Sequence, residues 1–221
     1  MEKYFAGLDV STQSLKIIVI SLSDDLIIYE DQLSYDNDLP KYGTVNGSVS
    51  TSEFGSSESD PLMWVEAIHI LFQRIHDTNR GLIKGIRCIS VSGQQHGLVG
   101  LKKNGNLSRT MSKLWNDVSS HKECELITSK IGGMENMIKE IANTQRPGYT
   151  ASKIFHMYQN ERTSFDNTET FLLVHNYINW FLTGGISTME YGDASGTALW
   201  DPVSKKWSEL VCNMISSDLY S

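Results

Sequence analysis

The first 33 residues contain three apolar segments that are rich in β-branched residues and are separated by polar turns. The segments are KYFAGLDV, LKIIVISL and LIIYEDQL, and the turns between them are STQS and SDD. Short segments of this composition between turn residues are typical of β-hairpins. We therefore predict three strands joined by hairpin turns, and the rest of the fold has to be built onto them.

Helix-like and strand-like segments alternate after this start. Residues 34–60 contain few aliphatic side chains and predict a long loop. Asp60 and Pro61 then mark a helix start, with Asp60 as the N-cap and Pro61 in the first turn. The further predicted strands are IKGIRCISVSG, GLVGLKKNGN and FLLV, and the further predicted helices are SSHKECELITSKIGG, TASKIFHMYQNE, NYINWFLTGG and WSELVCNMI. Interleaved strands and helices predict the α/β class.

Composition and charge argue against several functional classes. The net charge is −7 and the basic residues are scattered, whereas nucleic acid is bound by clustered Lys and Arg. Three widely spaced cysteines indicate thiols in a reducing compartment. No apolar run reaches the roughly 18 residues of a membrane span, and the start MEKYFAGLDV is too polar for a signal peptide. We expect a soluble, cytoplasmic protein with no nucleic-acid or membrane partner.

The segment GLDVSTQS places one carboxylate at the end of a buried strand. Asp9 is followed by Ser11, Thr12 and Gln13. A tight turn between two strands can present backbone N–H groups to an anion, and Asp9 beside it could hold a divalent cation directly or through water. An ordinary hairpin with Asp at its turn explains the same residues equally well.

The segment SGQQHG ends a second apolar strand with polar side chains. Gln94, Gln95 and His96 each offer hydrogen-bond donors and acceptors that suit the hydroxyl groups of a small sugar. A lone His is more often structural. Its place between two glycines at a strand end favours a function here.

The segment LWND offers an aromatic face and two polar side chains. Trp115 could pack on the apolar face of a sugar, and Asn116 and Asp117 could bind its hydroxyls. Either polar residue could instead cap the helix that follows, and capping is the favoured interpretation for Asp117.

The segment YGDASG surrounds Asp193 with residues that have almost no side chain. Gly, Asp and Ser are common turn residues, so an ordinary turn is the more frequent explanation. The alternative is a close-approach loop, where small neighbours allow a ligand to reach the carboxylate.

Taken in this order, the four segments resemble the FGGY family of carbohydrate kinases, and within it the xylulokinase type. GLDVSTQSLKIIVI resembles the family's first phosphate motif, SGQQHG its substrate motif, and LTG followed by DASGTALWD the segment with the catalytic aspartate. The resemblance covers nearly the whole chain. It implies an actin-like, ribonuclease-H-like domain, a mixed sheet with flanking helices. HNY at residues 175–177 departs from the family's usual Lys-Asp-Tyr-like pattern, so no role is carried over to it.

The resemblance also implies a reaction, transfer of the ATP γ-phosphate to a hydroxyl of a pentulose, with D-xylulose giving D-xylulose 5-phosphate as the foremost case. Asp193 matches the general base that accepts the proton of the attacking hydroxyl. Asp9 would lie near Mg²⁺, directly or through water, and Ser11, Thr12 and Gln13 near the phosphates. The positions that match sugar contacts are Gln95, His96, Trp115, Asn116, Arg146, Asp193 and Ala194.

Members of the family have two such domains, so residues 1–221 are expected to be the N-terminal, sugar-binding one. The C-terminal nucleotide-binding domain would be its partner, and the isolated chain is expected to be inactive. The sequence is silent on oligomeric state, and a homodimer is one option. One alternative is a catalytically incomplete sugar-binding half. The other is a ribonuclease-H-like nuclease with Asp9, Asp117 and Asp193 around two metal ions, which the acidic net charge disfavours.

Overall fold

The computed structural model describes residues 3–220, in which short and long strands alternate with helices. In chain order the strands are β1 (Tyr4–Val10), β2 (Ser14–Ser21), β3 (Leu26–Ser34), β4 (Glu58–Ser59), β5 (Ile86–Gly93), β6 (Val99–Leu101), β7 (Ser112–Lys113), β8 (Thr170–Leu172), β9 (Trp200–Asp201) and β10 (Lys206–Trp207). The main sheet has the order β3-β2-β1-β5, and β4 with β7, β6 with β8 and β9 with β10 form small antiparallel pairs. In the main sheet β1 is antiparallel to β2 and parallel to β5, which makes the sheet mixed.

The helices lie between these strands. In chain order they are α1 (Tyr35–Asp38), α2 (Pro61–Thr78), α3 (Arg80–Gly85), α4 (His121–Lys130), α5 (Met134–Ile141), α6 (Thr150–Asn160), α7 (Arg162–Asp166), α8 (Val174–Leu182), α9 (Tyr191–Gly196) and α10 (Glu209–Ile215). Two short 3₁₀ turns, Pro40–Tyr42 and Ser217–Leu219, complete the list. Within residues 3–220, no helix has the length and apolar character needed to cross a membrane.

One face of the main sheet forms the larger hydrophobic core. Side chains alternate along β1 and β2, so Ala6, Leu8 and Val10 are buried together with Ile17 and Val19. α2 packs on β2 and β3, and α8 packs on β5. Each aliphatic side chain of the size of Val or Ile contributes about 1.5–3 kcal/mol when it is fully buried. This burial holds the sheet edge that carries the polar strand ends.

A second core joins the helices of the remaining part of the chain. Ile127 of α4, Ile154 and Phe155 of α6, and Val211 and Cys212 of α10 belong to it. Burial raises the pKa of the Cys212 thiol to about 11, so this cysteine remains a neutral, apolar side chain of the core.

Several elements confirm the predictions made from the sequence. The three N-terminal strands are present as an antiparallel meander. The helix α2 begins at Pro61, and the side chain of Asp60 accepts a hydrogen bond from the Leu62 N–H at 2.8 Å, as an N-cap does. α4 ends before Gly132 and Gly133, which both have positive φ.

Other elements correct those predictions. Residues 34–60 contain α1, a 3₁₀ turn and β4 rather than only loop. The segment around Asp193 is the short helix α9 rather than a turn or loop, because the side chain of Glu190 accepts a hydrogen bond from the Asp193 N–H and caps it. α5 was not predicted, although Met137 and Ile141 show its buried face at a spacing of four residues.

A buried ionic cluster fastens the segment before α2 to the second core. Arg109 donates to both carboxylate oxygens of Glu58, at 2.7 and 3.0 Å, and to Glu161 at 2.7 Å. Lys113, almost fully buried, donates to Glu53 at 3.0 Å. Burial opposes the charge of Arg109, but its bonds to the two carboxylates dominate and raise the pKa of its guanidinium. The cluster therefore adds to the pairing of β4 with β7 in holding residues 51–59 in place.

Replacing Arg109 with Met should leave Glu58 and Glu161 without their guanidinium partner. Breaking a buried ion pair from one side costs about 3–5 kcal/mol, so the urea midpoint of unfolding should fall clearly. Arg162→Met is the matched control, because Arg162 pairs with Asp166 on the surface and its loss should hardly move the midpoint. Equal midpoint shifts for the two variants would show that the cluster does not hold the structure.

Candidate functional site

A cleft of about 480 Å³ lies where β1 and β5 end. Because the two strands are parallel neighbours, their carboxyl ends meet at one edge of the sheet, and the Gln94 N–H donates to the Val10 carbonyl at 3.1 Å. The residues that line the cleft are Asp9, Ser11, Thr12, Gly93, Gln94, Gln95, His96 and Trp115. The structure thus brings together three segments that lie far apart in the sequence.

The turn after β1 forms one wall of this cleft. The Ser11 hydroxyl donates to Oδ2 of Asp9 at 2.7 Å, and the Ser11 N–H donates to the Ser14 carbonyl at 3.0 Å. Oδ1 of Asp9 accepts no hydrogen bond from any residue between 3 and 220. The Thr12 hydroxyl accepts from the indole N–H of Trp115 at 3.0 Å. The turn therefore offers one carboxylate oxygen, while its first N–H is already used inside the turn.

A second cleft of about 650 Å³ lies beside the first. Its lining residues are Thr12, Gln13, Gly43, Val45, Asn46, Ser48, Val49, Ser50, Trp115 and Asn116. Thr12 and Trp115 line both clefts, so the indole is a shared wall. Of the predicted site residues, Gln13 and Asn116 belong to this second cleft and not to the first.

The strand end after β5 combines an exposed and a buried amide. Gln95 is exposed, whereas Gln94 is 9% exposed and lines the same cleft. Neither amide atom of the Gln94 side chain has a hydrogen-bond partner within the described residues. A buried amide without partners is costly unless something else satisfies it. Gln94 is therefore a second candidate reader of a polar ligand beside Gln95.

His96 is held rigidly in the same wall. Its φ is 60°, which is uncommon for a residue other than glycine. The His96 ring stacks on the ring of Tyr149, with 4.4 Å between the ring centres. The guanidinium of Arg146 lies 5.9 Å from the centre of the same Tyr149 ring. Burial and the nearby charge of Lys153 lower the pKa of His96. The imidazole is thus set up as a neutral hydrogen-bonding group, and Arg146 lies one ring away from it, exposed and outside the cleft lining.

Lys153 ties together the segments around this wall. Its fully buried ammonium donates to the carbonyls of His96, Leu114 and Gly148 at 2.7, 2.6 and 2.7 Å. Burial lowers the pKa of this amine to about 7. Three carbonyls need three N–H donors, and a neutral amine has two. Lys153 therefore joins the segments around His96, Leu114 and Gly148, but the cost of burying its charge outweighs the third contact and favours the neutral amine.

Asp193 is held by two residues for which the sequence predicted no role. Nε2 of His175 lies 2.5 Å from Oδ2 of Asp193, and Nδ2 of Asn176 lies 3.5 Å from the same oxygen. Ala194, next in the chain, is buried. His175 and Asn176 lie in the first turn of α8, with Leu173 and Val174 between them and the end of β8. Polar residues close to a strand end also pointed to His96, so a similar signal was available here.

Two close contacts bring α8 and α9 to the sheet edge. A Cβ added to Gly93 would lie 3.2 Å from Cβ of His175 and 3.1 Å from the Val10 carbonyl oxygen, so a larger residue would have to push these elements apart by a few tenths of an ångström. A Cβ added to Gly196 would lie 3.3 Å from the His96 ring. These contacts place α9 beside the end of β5.

Asp117 has a different role from both predicted ones. It is fully buried and accepts hydrogen bonds from the Ser57 N–H at 2.8 Å and from the Ser119 hydroxyl at 2.6 Å. The N-cap of α4 is Ser120, so Asp117 does not cap that helix. It bridges the segment before α2 to the segment before α4. Within residues 3–220, no group of three His, Cys, Asp or Glu side chains could hold a metal ion, so the nuclease-type carboxylate set is not formed.

Comparison with known proteins gives a consistent match. The model of the FGGY family of carbohydrate kinases, N-terminal domain, matches residues 4–218. A curated xylulose kinase from Haemophilus influenzae is 31% identical over 222 residues, which cover 97% of this chain and 42% of that protein. The chain thus spans about 40% of the length of the curated relatives it matches.

Solved structures show the same fold. A xyloylose kinase from Brucella ovis has a TM-score of 0.79 at 25% identity and covers 96% of this chain and 41% of its own. A gluconate kinase from Lactobacillus acidophilus has a TM-score of 0.81 at 19% identity and covers 100% of this chain and 41% of its own. The predicted α/β fold of actin-like, ribonuclease-H-like type, a mixed sheet with flanking helices, is confirmed by these neighbours.

The stability of the chain should report the titration of Lys153. The amine titrates near 10.5 when it is exposed and at about 7 in the folded chain. Between these values the unfolded state binds more protons, so the contribution of Lys153 to stability rises with pH. In urea denaturation, the free energy of unfolding of the parent should rise relative to Lys153→Met from pH 7 to pH 10.

Lys122→Met is the control for loss of one lysine charge, because Lys122 is exposed on α4. A stability difference between parent and Lys153→Met that stays constant over this pH range would contradict the assignment of the titration to Lys153.

Proposed function

The chain belongs to the FGGY family of carbohydrate kinases, and we propose that it is the sugar-holding, N-terminal domain of an enzyme that transfers the ATP γ-phosphate to a hydroxyl of a pentulose. D-xylulose is the first substrate to test, because the curated relatives are named xylulose kinases. The observation that carries the proposal is the contact of the Asp193 carboxylate with His175, whose Cβ packs closely against Gly93 in the lining of the cleft that β1 and β5 form.

The sugar is proposed to lie against the wall formed by the SGQQHG and LWND segments. The Gln94 and Gln95 amides and the neutral His96 imidazole offer the donors and acceptors that hydroxyl groups require. Trp115 is half exposed and offers a flat apolar face. Asn116 would reach the sugar from the second cleft, and Arg146 only through a shift from its position over Tyr149.

The phosphate end is proposed to lie at the turn after β1. Ser11, Thr12 and Gln13 supply hydroxyl and amide groups there, and Asp9 contributes a carboxylate oxygen that no residue between 3 and 220 engages. Carboxylate oxygen is a ligand that Mg²⁺ prefers, so these residues fit the ion, directly or through water. When bound, Mg²⁺ would neutralise charge on the phosphates of ATP. The nucleotide itself is proposed to be held mainly by a second domain.

Asp193 is proposed to act as the general base. His175 and Asn176 both contact Oδ2, so Oδ1 is the oxygen left to accept a proton. As the sugar oxygen bonds to the γ-phosphorus, its proton passes to Oδ1, and the bond from the γ-phosphorus to the ADP oxygen breaks. Positioning and charge stabilisation account for most of the rate in such transfers. The small neighbours of Asp193 leave room for a substrate on that side.

A second candidate is a sugar-binding half without activity of its own, which the partial coverage of the relatives favours.

The chain of residues 1–221 is expected to bind sugar weakly and to show no turnover in a coupled assay with D-xylulose, ATP and Mg²⁺. Turnover at about 10 s⁻¹, a typical enzyme rate, would show that the nucleotide site lies within this chain.

His96→Ala should weaken the binding of D-xylulose to the chain, measured by isothermal titration calorimetry. Loss of one well-placed hydrogen-bonding group should lower the affinity about tenfold, since a net hydrogen bond contributes about 0.5–1.5 kcal/mol. His76→Ala is the matched control, because His76 is partly exposed on α2, away from the cleft, and its side chain contacts Asp77. Unchanged sugar affinity in His96→Ala would remove this residue from the proposed site.

Asp193→Asn should lower kcat by about 10²–10⁴, the range for loss of a general base, in the enzyme that carries both domains. The affinity for sugar should change far less, because the amide keeps the shape of the carboxylate. Asp201→Asn is the control, since Asp201 is a carboxylate that caps the turn after β9. A kcat within a few-fold of the parent would exclude Asp193 as the base.

A further inference from the structure

We propose that His175 is a positioning residue that aims the carboxylate of Asp193 at the substrate and fixes Oδ1 as the oxygen that accepts the proton. The role of the carboxylate rests on the function proposed above. The contact between the two side chains does not, because it is a feature of the fold. His175 does not need to touch the substrate in this proposal; it acts through Asp193.

The geometry of the pair is that of a strong hydrogen bond. The distance from Nε2 of His175 to Oδ2 of Asp193 is 2.5 Å, and the side chains are 11% and 15% exposed. A bond of this kind to an ionised acceptor, shielded from water, is stronger than one between neutral groups. Nδ2 of Asn176, at 3.5 Å, approaches the same oxygen. Both neighbours therefore engage Oδ2.

The proton of His175 is assigned by its surroundings. Nε2 faces a carboxylate and must donate to it, whereas Nδ1 is buried and has no hydrogen-bond partner within residues 3–220. A second proton on Nδ1 would be a buried donor without an acceptor, which is costly. Glu190, the other carboxylate close to this pair, accepts the backbone N–H of Asp193. The structure thus indicates a neutral imidazole with its proton on Nε2.

Asp193 needs such an anchor because its own element is weak. α9 has six residues, contains Gly192 and Gly196, and follows the exposed segment 184–188. A helix of this length is not stable by itself and depends on contacts with the rest of the fold. α8, in contrast, is packed on β5 and on α2. A side chain on α8 can therefore fix the carboxylate relative to the sheet edge more firmly than α9 can.

His175 is itself positioned by the sheet. Its Cβ fills the space that a side chain at Gly93 would need, and the same space is bounded by the Val10 carbonyl at the end of β1. The line of contacts runs from the ends of β1 and β5 through His175 to Asp193. The strand ends that line the cleft therefore also set the position of the proposed base.

Nitrogen NMR of the ¹⁵N-labelled chain tests the pair without any activity. Long-range ¹H–¹⁵N correlation spectra should show His175 with its proton on Nε2 at pH 7, and Asp193→Asn should shift the Nε2 resonance. A proton on Nδ1 instead, or an Nε2 resonance that Asp193→Asn does not move, would overturn the proposal.

Kinetics of the two-domain enzyme test the positioning role. His175→Phe should lower kcat by about 10–100-fold, the size of effect known for residues that orient metal ligands, with a much smaller change in KM for the sugar. His175→Gln should restore most of the rate, because its amide N–H can replace Nε2–H. His69→Phe is the control, since His69 is exposed on α2 and its ring makes an edge contact with Phe181.

The outcomes separate this proposal from the proposed function. If Asp193→Asn lowers kcat but His175→Phe does not, the positioning role is wrong and the base assignment stands. If Asp193→Asn leaves kcat unchanged while the NMR pair is present, the proposed function of Asp193 has failed. If His175→Phe does not fold, as judged by circular dichroism, the rate of His175→Gln decides: a near-parental rate supports the role, and a rate as low as that of Asp193→Asn overturns it.

Discussion

The parallel pairing of β1 with β5 brings together the two strand ends on which the candidate site is built. Asp9 is paired with Ser92 and Val10 with Gly93, so both strands end at the same level. A parallel pair requires a crossover connection, and α2, packed on the buried face of the sheet, provides it. Without this register the turn after β1 and the SGQQHG segment would lie apart. Neither segment forms a cleft by itself.

Buried polar groups then fix what the sheet brings together. Lys153 joins three segments by their carbonyls, Asp117 joins two by N–H and hydroxyl donors, and Arg109 holds Glu58 and Glu161. Each such group is expensive to bury and becomes favourable only when all of its partners are in place. The arrangement therefore tolerates little loosening, which suits a site whose side chains come from distant parts of the chain.

The sequence predicted local structure where the local signal was strong. The β-branched runs and the Asp60–Pro61 start identified the first sheet strands and α2, because composition and capping decide those elements. The sequence-based prediction was wrong for α9. Its two glycines argue against a helix, but the side chain of Glu190 caps the segment and stabilises a helix there. The prediction was also wrong for Asp117, whose partner Ser57 is 60 residues away in the chain. Contacts of that separation depend on the tertiary fold, which no local pattern contains.

The candidate site was predicted in part for the same reason. Asp9, Ser11, Thr12, Gln95, His96 and Trp115 line one cleft, since strand ends collect at one sheet edge. The importance of His175 depends on its contact with Asp193, which is 18 residues away on another helix. The local sequence around His175 therefore predicted no role for it. Arg146, in contrast, was predicted to contact the sugar, but it lies over Tyr149 and outside the cleft lining.

The indole of Trp115 gives the two clefts a common boundary, held by its bond to Thr12. A shared wall of this kind means that ligands in the two clefts would contact the same side chain. An occupant of either one that displaces the indole changes the volume and the hydrogen bonding available in its neighbour. The resulting change in affinity must be the same in both directions, because coupling free energies are reciprocal. The two clefts are therefore coupled to the extent that an occupant of one moves this half-exposed side chain.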